Sequence, residues 1–152
     1  GRPHVEGKDK DRFRSKYLDI PNAPLYPFGY GLSYTTFTVS EVSLDKDSMK
    51  DGESIRAAVT VKNTGTCAGT ETIQLYLHDI AASVVRPVKE LKDFRKVTLQ
   101  PEEARVEFTI TEPQLRFLSE NNIFESEAGI FEIFIGTDST TTNKAKFTLE
   151  KQ

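Results

Sequence analysis

The chain of 152 residues is 37% hydrophobic and 28% charged, an ordinary composition for one globular domain. Its formal net charge of -3, with basic and acidic residues interleaved, offers no electrostatic basis for binding nucleic acid or an anionic membrane surface. The single cysteine, Cys67, excludes an internal disulfide and a cysteine-built zinc site, and no apolar run reaches the ~18 residues of a membrane span.

Residues 1 to about 24 show neither helical nor strand periodicity and are interrupted by prolines and glycine, which predicts an extended N-terminal arm. The polar start, without an initiator Met or a basic-then-apolar leader, indicates a chain cut from a longer protein. Asp19, in the stretch Tyr17-Leu18-Asp19-Ile20-Pro21, is open to two interpretations. It forms either a local turn or cap, or a contact with a neighbouring domain.

Residues 25–34, here called the aromatic segment, alternate large rings with small or turn-forming residues. The rings are Tyr26, Phe28, Tyr30 and Tyr34, and the spacers are Pro27, Gly29 and Gly31. Such a pattern brings a large apolar surface to a backbone that can approach a neighbour closely. The segment is interpreted as a packing anchor, with stacking on sugar rings as the alternative. We expect residues 1–35 to form an arm and linker, and 36–152 to form a β-sandwich.

From Phe37 onward, seven short runs alternate apolar and polar residues and are separated by turn residues. The runs are 37–44, 55–61, 73–77, 91–99, 106–110, 131–135 and 145–149. No segment between them is long and periodic enough for a crossover helix, which excludes a parallel α/β fold. The pattern predicts an all-β, antiparallel sandwich of the immunoglobulin-like or fibronectin type III-like kind, and the lack of a cysteine pair and of Trp favours the latter. Residues 112–129 are expected to tuck against this sandwich or to form a short extra strand.

Paired carboxylates are the first candidates for chemistry, because glycoside cleavage needs two carboxyl groups flanking one bond. Four of them fall in turns or at positions expected to be exposed, with no apolar pocket to tune a pKa, and are interpreted as surface residues. They are Glu102, Glu103, Glu125 and Glu127.

Metal and nucleophile signals are also weak. Residues 45–52 superficially resemble a calcium loop, but Met49 and Lys50 break the alternation of liganding oxygens, so a hairpin turn is predicted. His4 and His78 have no second ligand at metal spacing, and neither Cys67 nor Ser33 lies in a nucleophile motif. We therefore predict no catalytic residue, no cofactor and no metal site in this chain.

The sequence nevertheless resembles the family 3 glycoside hydrolases, the β-glucosidases and β-xylosidases, in their C-terminal fibronectin type III-like domain and the linker before it. The linker motifs are Gly1-Arg2-Pro3, Arg14-Ser15-Lys16-Tyr17-Leu18-Asp19 and Pro24-Leu25-Tyr26-Pro27-Phe28-Gly29-Tyr30-Gly31-Leu32-Ser33-Tyr34-Thr35-Thr36-Phe37. Those in the sandwich are Val61-Lys62-Asn63-Thr64-Gly65, Gly69-Thr70-Glu71, Gln74-Leu75-Tyr76-Leu77, Arg86-Pro87-Val88-Lys89-Glu90-Leu91, Phe94 and Gly129-Ile130-Phe131.

The resemblance implies a retaining mechanism with an aspartate nucleophile in a (β/α)8 barrel and a glutamate acid/base in an α/β domain. A barrel alone takes about 250 residues, so neither domain fits in this chain, and no residue matches either catalytic motif. Hydrolysis by the chain alone is the least favoured hypothesis. The resemblance also implies a periplasmic or secreted parent enzyme.

The implied function is that of a non-catalytic accessory domain of a β-glucosidase-like enzyme, packing against the catalytic domains of the same polypeptide. The residues expected to make interdomain or sugar contacts are Asp19, Tyr26, Phe28, Tyr30 and Tyr34. An autonomous carbohydrate-binding or interaction module is the alternative. The two differ in what the rings should do: docking requires an exposed apolar strip on the free chain, and sugar binding requires a flat exposed row.

Overall fold

Two β-sheets pack face to face over residues 23–151, the part of the chain that the computed structural model describes. Sheet A contains β1 (Phe37–Val39), β2 (Ser43–Leu44), β4 (Ser54–Asn63) and β7 (Glu103–Thr111). Sheet B has the order β3 (Ser48–Lys50), β11 (Lys144–Glu150), β10 (Gly129–Gly136), β5 (Gly69–Asp79) and β6 (Glu90–Leu99). The all-β sandwich predicted from the sequence is confirmed.

Each of the seven predicted runs forms strand, and their inward residues make one core. The core includes Ile55, Val59, Ile73, Leu75, Phe108, Ile110, Phe131, Ile133, Phe147 and Leu149. Apolar side chains at every second position of a strand share one face, so the two sheets bury their apolar faces against each other. The rings of Phe131 and Phe147 stack with centroids 5.5 Å apart on adjacent strands.

The first predicted run is divided into β1 and β2, which pair with different parts of the same strand, β4. Between them, the backbone N–H of Thr60 donates a hydrogen bond to Ser40 Oγ at 2.8 Å, while the N–H of Ser40 donates to Thr60 O at 2.9 Å. A hydroxyl in place of a backbone acceptor interrupts the ladder at this point.

Residues 45–52 contain more than the predicted hairpin turn. A turn does occur, with the N–H of Glu53 donating to Lys50 O at 3.0 Å and Gly52 at a φ of 84°. Before it, however, β3 pairs in parallel with β11. Met49 is 1% exposed, so burial of this one apolar side chain provides the reason for the extra strand.

Residues 112–129 both pack against the sandwich and form short extra strands, the two arrangements expected from the sequence. A 3-10 helix, Glu112–Leu115, is followed by a hairpin of β8 (Phe117–Leu118) and β9 (Phe124–Glu125). Leu115 and Phe117 are buried against the sandwich, whereas Leu118, Ile123 and Phe124 are exposed. No helix within residues 23–151 is long and apolar enough to cross a membrane.

Candidate functional site

The aromatic segment contains a tight turn at Pro27–Phe28–Gly29–Tyr30. The N–H of Tyr30 donates to Pro27 O at 3.1 Å, and Gly29, the third residue, has a φ of 81°. A positive φ at that position is the geometry of a type II turn, which L-residues with a Cβ adopt only under strain. A Cβ on Gly29 would also overlap the Gln74 side-chain amide. Glycine is therefore required here for two independent reasons.

The turn is attached to the sandwich through its backbone. The buried Gln74 amide on β5 donates to Gly29 O at 3.2 Å and to Thr137 O at 2.6 Å, and it accepts the Tyr76 hydroxyl at 2.5 Å. The N–H of Ser139 donates to Phe28 O at 2.9 Å. The segment contributes only backbone atoms to these bonds, so its ring side chains take no part in them.

Those rings are exposed to an unusual degree for aromatic residues. The exposed fractions are 66% for Tyr26, 66% for Phe28, 47% for Tyr30 and 101% for Tyr34. The rings of Tyr26 and Tyr30 lie 5.3 Å apart and are tilted by 34°. Contiguous exposed apolar groups of this size are uncommon on monomeric proteins and mark contact surfaces.

Two side chains of β6 extend this surface. Phe94 lies opposite Gln74, and Leu91 lies opposite Tyr76, in the antiparallel register of β5 and β6. Directly opposite residues project from the same face, and both side chains are exposed. We name Tyr26, Phe28, Tyr30, Leu91 and Phe94 the docking face.

Sequence reasoning did not assign Phe94 and Leu91 to this surface. They are three positions apart, which strict alternation would place on opposite faces. A register shift in the pairing of β5 with β6, next to Tyr76, returns both to the outer face of sheet B. No signal in the sequence reports such a bulge.

A second attachment follows the aromatic segment. Thr35 Oγ1 donates to Asn63 Oδ1 at 2.7 Å, and the same oxygen accepts the N–H of Gly65 at 3.0 Å. A Cβ on Gly65 or Gly69 would overlap the Thr35 side chain. The Asn63-Thr64-Gly65 motif is thus explained as a socket for the end of the linker.

The loop before β6 is anchored to the same region. Lys89 Nζ donates to Ser139 O at 2.9 Å and to Thr141 O at 2.5 Å, and lies 4.5 Å from the Phe134 ring centroid. Burial lowers the pKa of Lys89 below its ordinary value. Ser139 binds both Lys89 and Phe28, so it joins the loop before β6 to the aromatic segment.

Arg86, in the same loop, joins the end of β5 to the start of β6. Its guanidinium pairs with Asp79 at 3.2 Å and Glu90 at 3.0 Å and lies 4.7 Å from the Phe117 ring centroid. The Arg86 side chain is 9% exposed. A buried arginine with two carboxylate partners is a structural group here, since neither carboxylate is left free for chemistry.

The other candidates from the sequence are scattered. Glu102 and Glu103 are exposed as expected, whereas Glu125 and Glu127 are half-buried. His78 is half-buried on β5, and its Nδ1 has no hydrogen-bond partner among the described residues. No group of three or more potential metal ligands occurs in residues 23–151. Asp19 lies outside the described residues.

A model of the fibronectin type III-like domain matches residues 71–139. Among curated proteins, the chain is 46% identical over 150 residues to the periplasmic beta-glucosidase of Salmonella typhimurium, covering 98% of the chain and 20% of that protein. It is 40% identical over 140 residues to a putative beta-xylosidase of Formosa agariphila, with coverages of 91% and 18%.

Solved structures give the same result. A beta-glucosidase from Listeria innocua superposes with a TM-score of 0.88 at 42% identity, covering all of this chain and 21% of the other. A GH3 beta-glucosidase from Bifidobacterium adolescentis superposes with a TM-score of 0.73 at 37% identity, with coverages of 82% and 18%. The chain thus spans about a fifth of the length of the relatives it matches.

Proposed function

Since the chain belongs to the family 3 glycoside hydrolases, as their C-terminal fibronectin type III-like part, we propose that its docking face packs against the catalytic domains of the same polypeptide. The relatives are longer enzymes, so sandwich and catalytic domains occur in one chain. The observation that carries the proposal is a set of exposed rings on a turn that backbone hydrogen bonds already hold in place.

Burial of the docking face against another domain is favoured in free energy over its exposure to solvent. Full burial of a large apolar side chain contributes about 1.5–3 kcal/mol, so burying the exposed half of one contributes roughly 1 kcal/mol. Five such side chains supply a few kcal/mol, which suits an interface between domains of one chain. Pre-ordering of the turn reduces the entropy that docking must overcome.

The same geometry argues against a sugar platform at this place. A flat row of coplanar rings is what a carbohydrate chain stacks on, and the rings of Tyr26 and Tyr30 are tilted. Tyr34 has no described contact with either ring. We therefore propose interdomain contacts for Tyr26, Phe28 and Tyr30, and extend that proposal to Asp19 and Tyr34 as linker residues.

For the whole enzyme we propose hydrolysis of terminal β-D-glycosyl residues with retention, carried out by the catalytic domains. Support comes from the beta-glucosidase descriptions of the relatives. We place the boundary between linker and sandwich at residues 35 and 36, next to the start of β1. The description of the Salmonella relative supports a periplasmic parent.

The experiment compares one variant in two contexts. A chain with Tyr26→Ser, Phe28→Ser and Phe94→Ser is prepared as the 152-residue protein and as the full-length parent enzyme. Thermal unfolding should show little change for the short protein, because its rings contact solvent, and a loss of several degrees for the parent, because buried apolar area is removed.

Val85→Ser is the matched control, since Val85 is fully exposed and lies outside the docking face. It should leave both proteins unchanged. Equal loss of melting temperature in both contexts would show that the rings stabilise the sandwich itself, and no loss in either would show that they do not dock. Either result would overturn the proposal.

A further inference from the structure

A concave surface lies at one end of the sandwich. It is an open cavity of about 950 Å³ where β4 begins and β7 ends. Its lining includes Asp51, Glu53, Arg116, Phe124, Glu125 and Lys151. Its volume falls within the ~300–1,000 Å³ typical of small-molecule sites.

The cavity has a rigid polar frame. Arg116 Nε donates to the two carboxylate oxygens of Glu112 at 3.1 and 3.0 Å, and the Ser126 hydroxyl donates to the same carboxylate. Lys151 Nζ lies 2.9 Å from Asp51 Oδ1 and 3.6 Å from Glu112 Oε1. These bonds fix the positions of donors and acceptors before any ligand arrives.

Part of this hydrogen-bonding capacity is unused. Arg116 is 42% exposed and binds Glu112 through Nε and Nη2, leaving Nη1 without a partner among residues 23–151. Within the same range, the Glu125 carboxylate accepts no hydrogen bond from a side chain. A planar donor and a planar acceptor are therefore both available at one surface.

The charges and the rim restrict the ligand class. Four carboxylates, Asp51, Glu53, Glu112 and Glu125, outnumber the two cations Arg116 and Lys151, which disfavours an anionic ligand. No cluster of metal-ligating side chains occurs in the described part of the chain. The Phe124 ring, 63% exposed, offers an apolar face beside these polar groups.

From this combination we propose that the cavity binds a neutral sugar, with a pyranose ring stacked on Phe124 and its hydroxyl groups bonded to Arg116 and Glu125. A pyranose presents an apolar C–H face and a rim of hydroxyls, which matches an aromatic ring beside paired donors and acceptors. The site is formed by the 3-10 helix, the β8–β9 hairpin and the turn at Gly52.

The residues that line the cavity include none of the docking face. The cavity includes Ser54 at the start of β4, and the linker socket includes Asn63 at its end. Ten residues of strand at ~3.3 Å each separate the two by about 30 Å. The sugar site is therefore distant from the linker socket.

The test is an NMR titration of the 15N-labelled 152-residue protein with laminaribiose and, separately, with cellobiose. Each sugar is added to about 20 mM, because weak surface sites have dissociation constants on the order of millimolar. At least one sugar should shift the amide resonances of Gly52, Phe124, Glu125 and Ser126 in a saturable way. Phe124→Ala should weaken that binding by about ten-fold or more, because the stacking face is lost.

Leu118→Ala is the matched control, since Leu118 pairs with Phe124 across the hairpin, is similarly exposed and lies outside the cavity lining. It should bind sugar as the unmodified chain does. Sorbitol, an open-chain polyol, should give no saturable shift. The proposal is overturned if Phe124→Ala binds normally, if sorbitol shifts the same amides, or if the shifts fall on the docking face instead.

Discussion

Asn63 and Gln74 are buried amides that each bind residues far away along the chain as well as a near neighbour. Asn63 Nδ2 donates to Cys67 O at 2.8 Å and to Leu99 O at 3.0 Å while its oxygen receives Thr35. Gln74 bonds in the same way to Gly29 and Thr137. An amide can donate and accept at once, which an apolar residue of similar size cannot do. Each side chain therefore joins the linker to the sandwich.

Glu112 supports a prediction on acid stability. The hydrogen bonds from Arg116 lower the pKa of Glu112 from 4.5 to about 2, outweighing burial, which acts in the opposite direction. A carboxyl whose folded pKa lies below its unfolded value stabilises the fold above the unfolded pKa and loses that contribution as pH falls through the folded pKa. The loss should amount to as much as about 3 kcal/mol between roughly pH 5 and pH 2.

Urea unfolding of the chain at several pH values in this range measures the effect. In Glu112→Gln the slope of stability against pH should become shallower, because the titrating group is removed. Glu102→Gln, an exposed carboxylate in a turn, serves as the control and should keep the original slope. An unchanged slope in Glu112→Gln would show that Glu112 is not the source of the acid sensitivity.

The aromatic segment is held by a few backbone contacts rather than by strand pairing of its own. Its turn is held at Phe28 O and Gly29 O, its end accepts a hydrogen bond from Cys67 Sγ at Tyr34 O, 3.4 Å away, and its rings make no described hydrogen bond to the sandwich. Short, few-contact attachments open more easily than core strands. The segment should thus detach without unfolding the sandwich when the turn is altered.

Gly29→Ala tests this behaviour. A side chain at a φ of 81° is strained by about 1 kcal/mol or more, and the new Cβ would overlap the Gln74 amide. Chymotrypsin should cleave the segment several-fold faster, while the melting temperature of the sandwich changes little. Gly31→Ala is the matched control, because its Cβ would meet nothing within 4 Å. Equal cleavage rates of the two variants would contradict the role of the turn.

The whole molecule has a complete core in spite of its exposed apolar face. Phe108 is 0% exposed, on β7, whereas Phe94 of the docking face is 53% exposed. Both are phenylalanines on strands, so the same substitution at the two positions measures the effect of burial. The sandwich therefore needs no further domain to close its core, and the docking face lies outside that core.

Phe108→Ala should lower the free energy of unfolding of the 152-residue protein by about 3–5 kcal/mol, through lost transfer energy and the cavity left behind. Phe94→Ala should change it by about 0.5 kcal/mol or less, as for other surface substitutions. Chemical denaturation of both variants gives the comparison. Similar losses would mean that the docking face belongs to the core.

Periodicity predicted the seven core-forming runs because alternation is a local property that every half-buried strand must show. The aromatic segment was also visible, since rings spaced by Gly and Pro are rare in one stretch. The extra strand within residues 45–52 was not predicted by alternation. The burial of Met49 depends on a partner strand about 100 positions later, β11, and alternation cannot report a pairing over that distance.

The sequence by itself determined the fold class, the linker, and the rings that carry the proposed contact, because each follows from residue type and spacing. Only the tertiary structure decided that those rings point outward, that a bulge brings Phe94 and Leu91 beside them, and that Glu112, Arg116 and Phe124 surround a cavity. These features depend on cross-strand register and on loops meeting at one end of the sandwich. Such contacts join distant positions, and no local pattern specifies them.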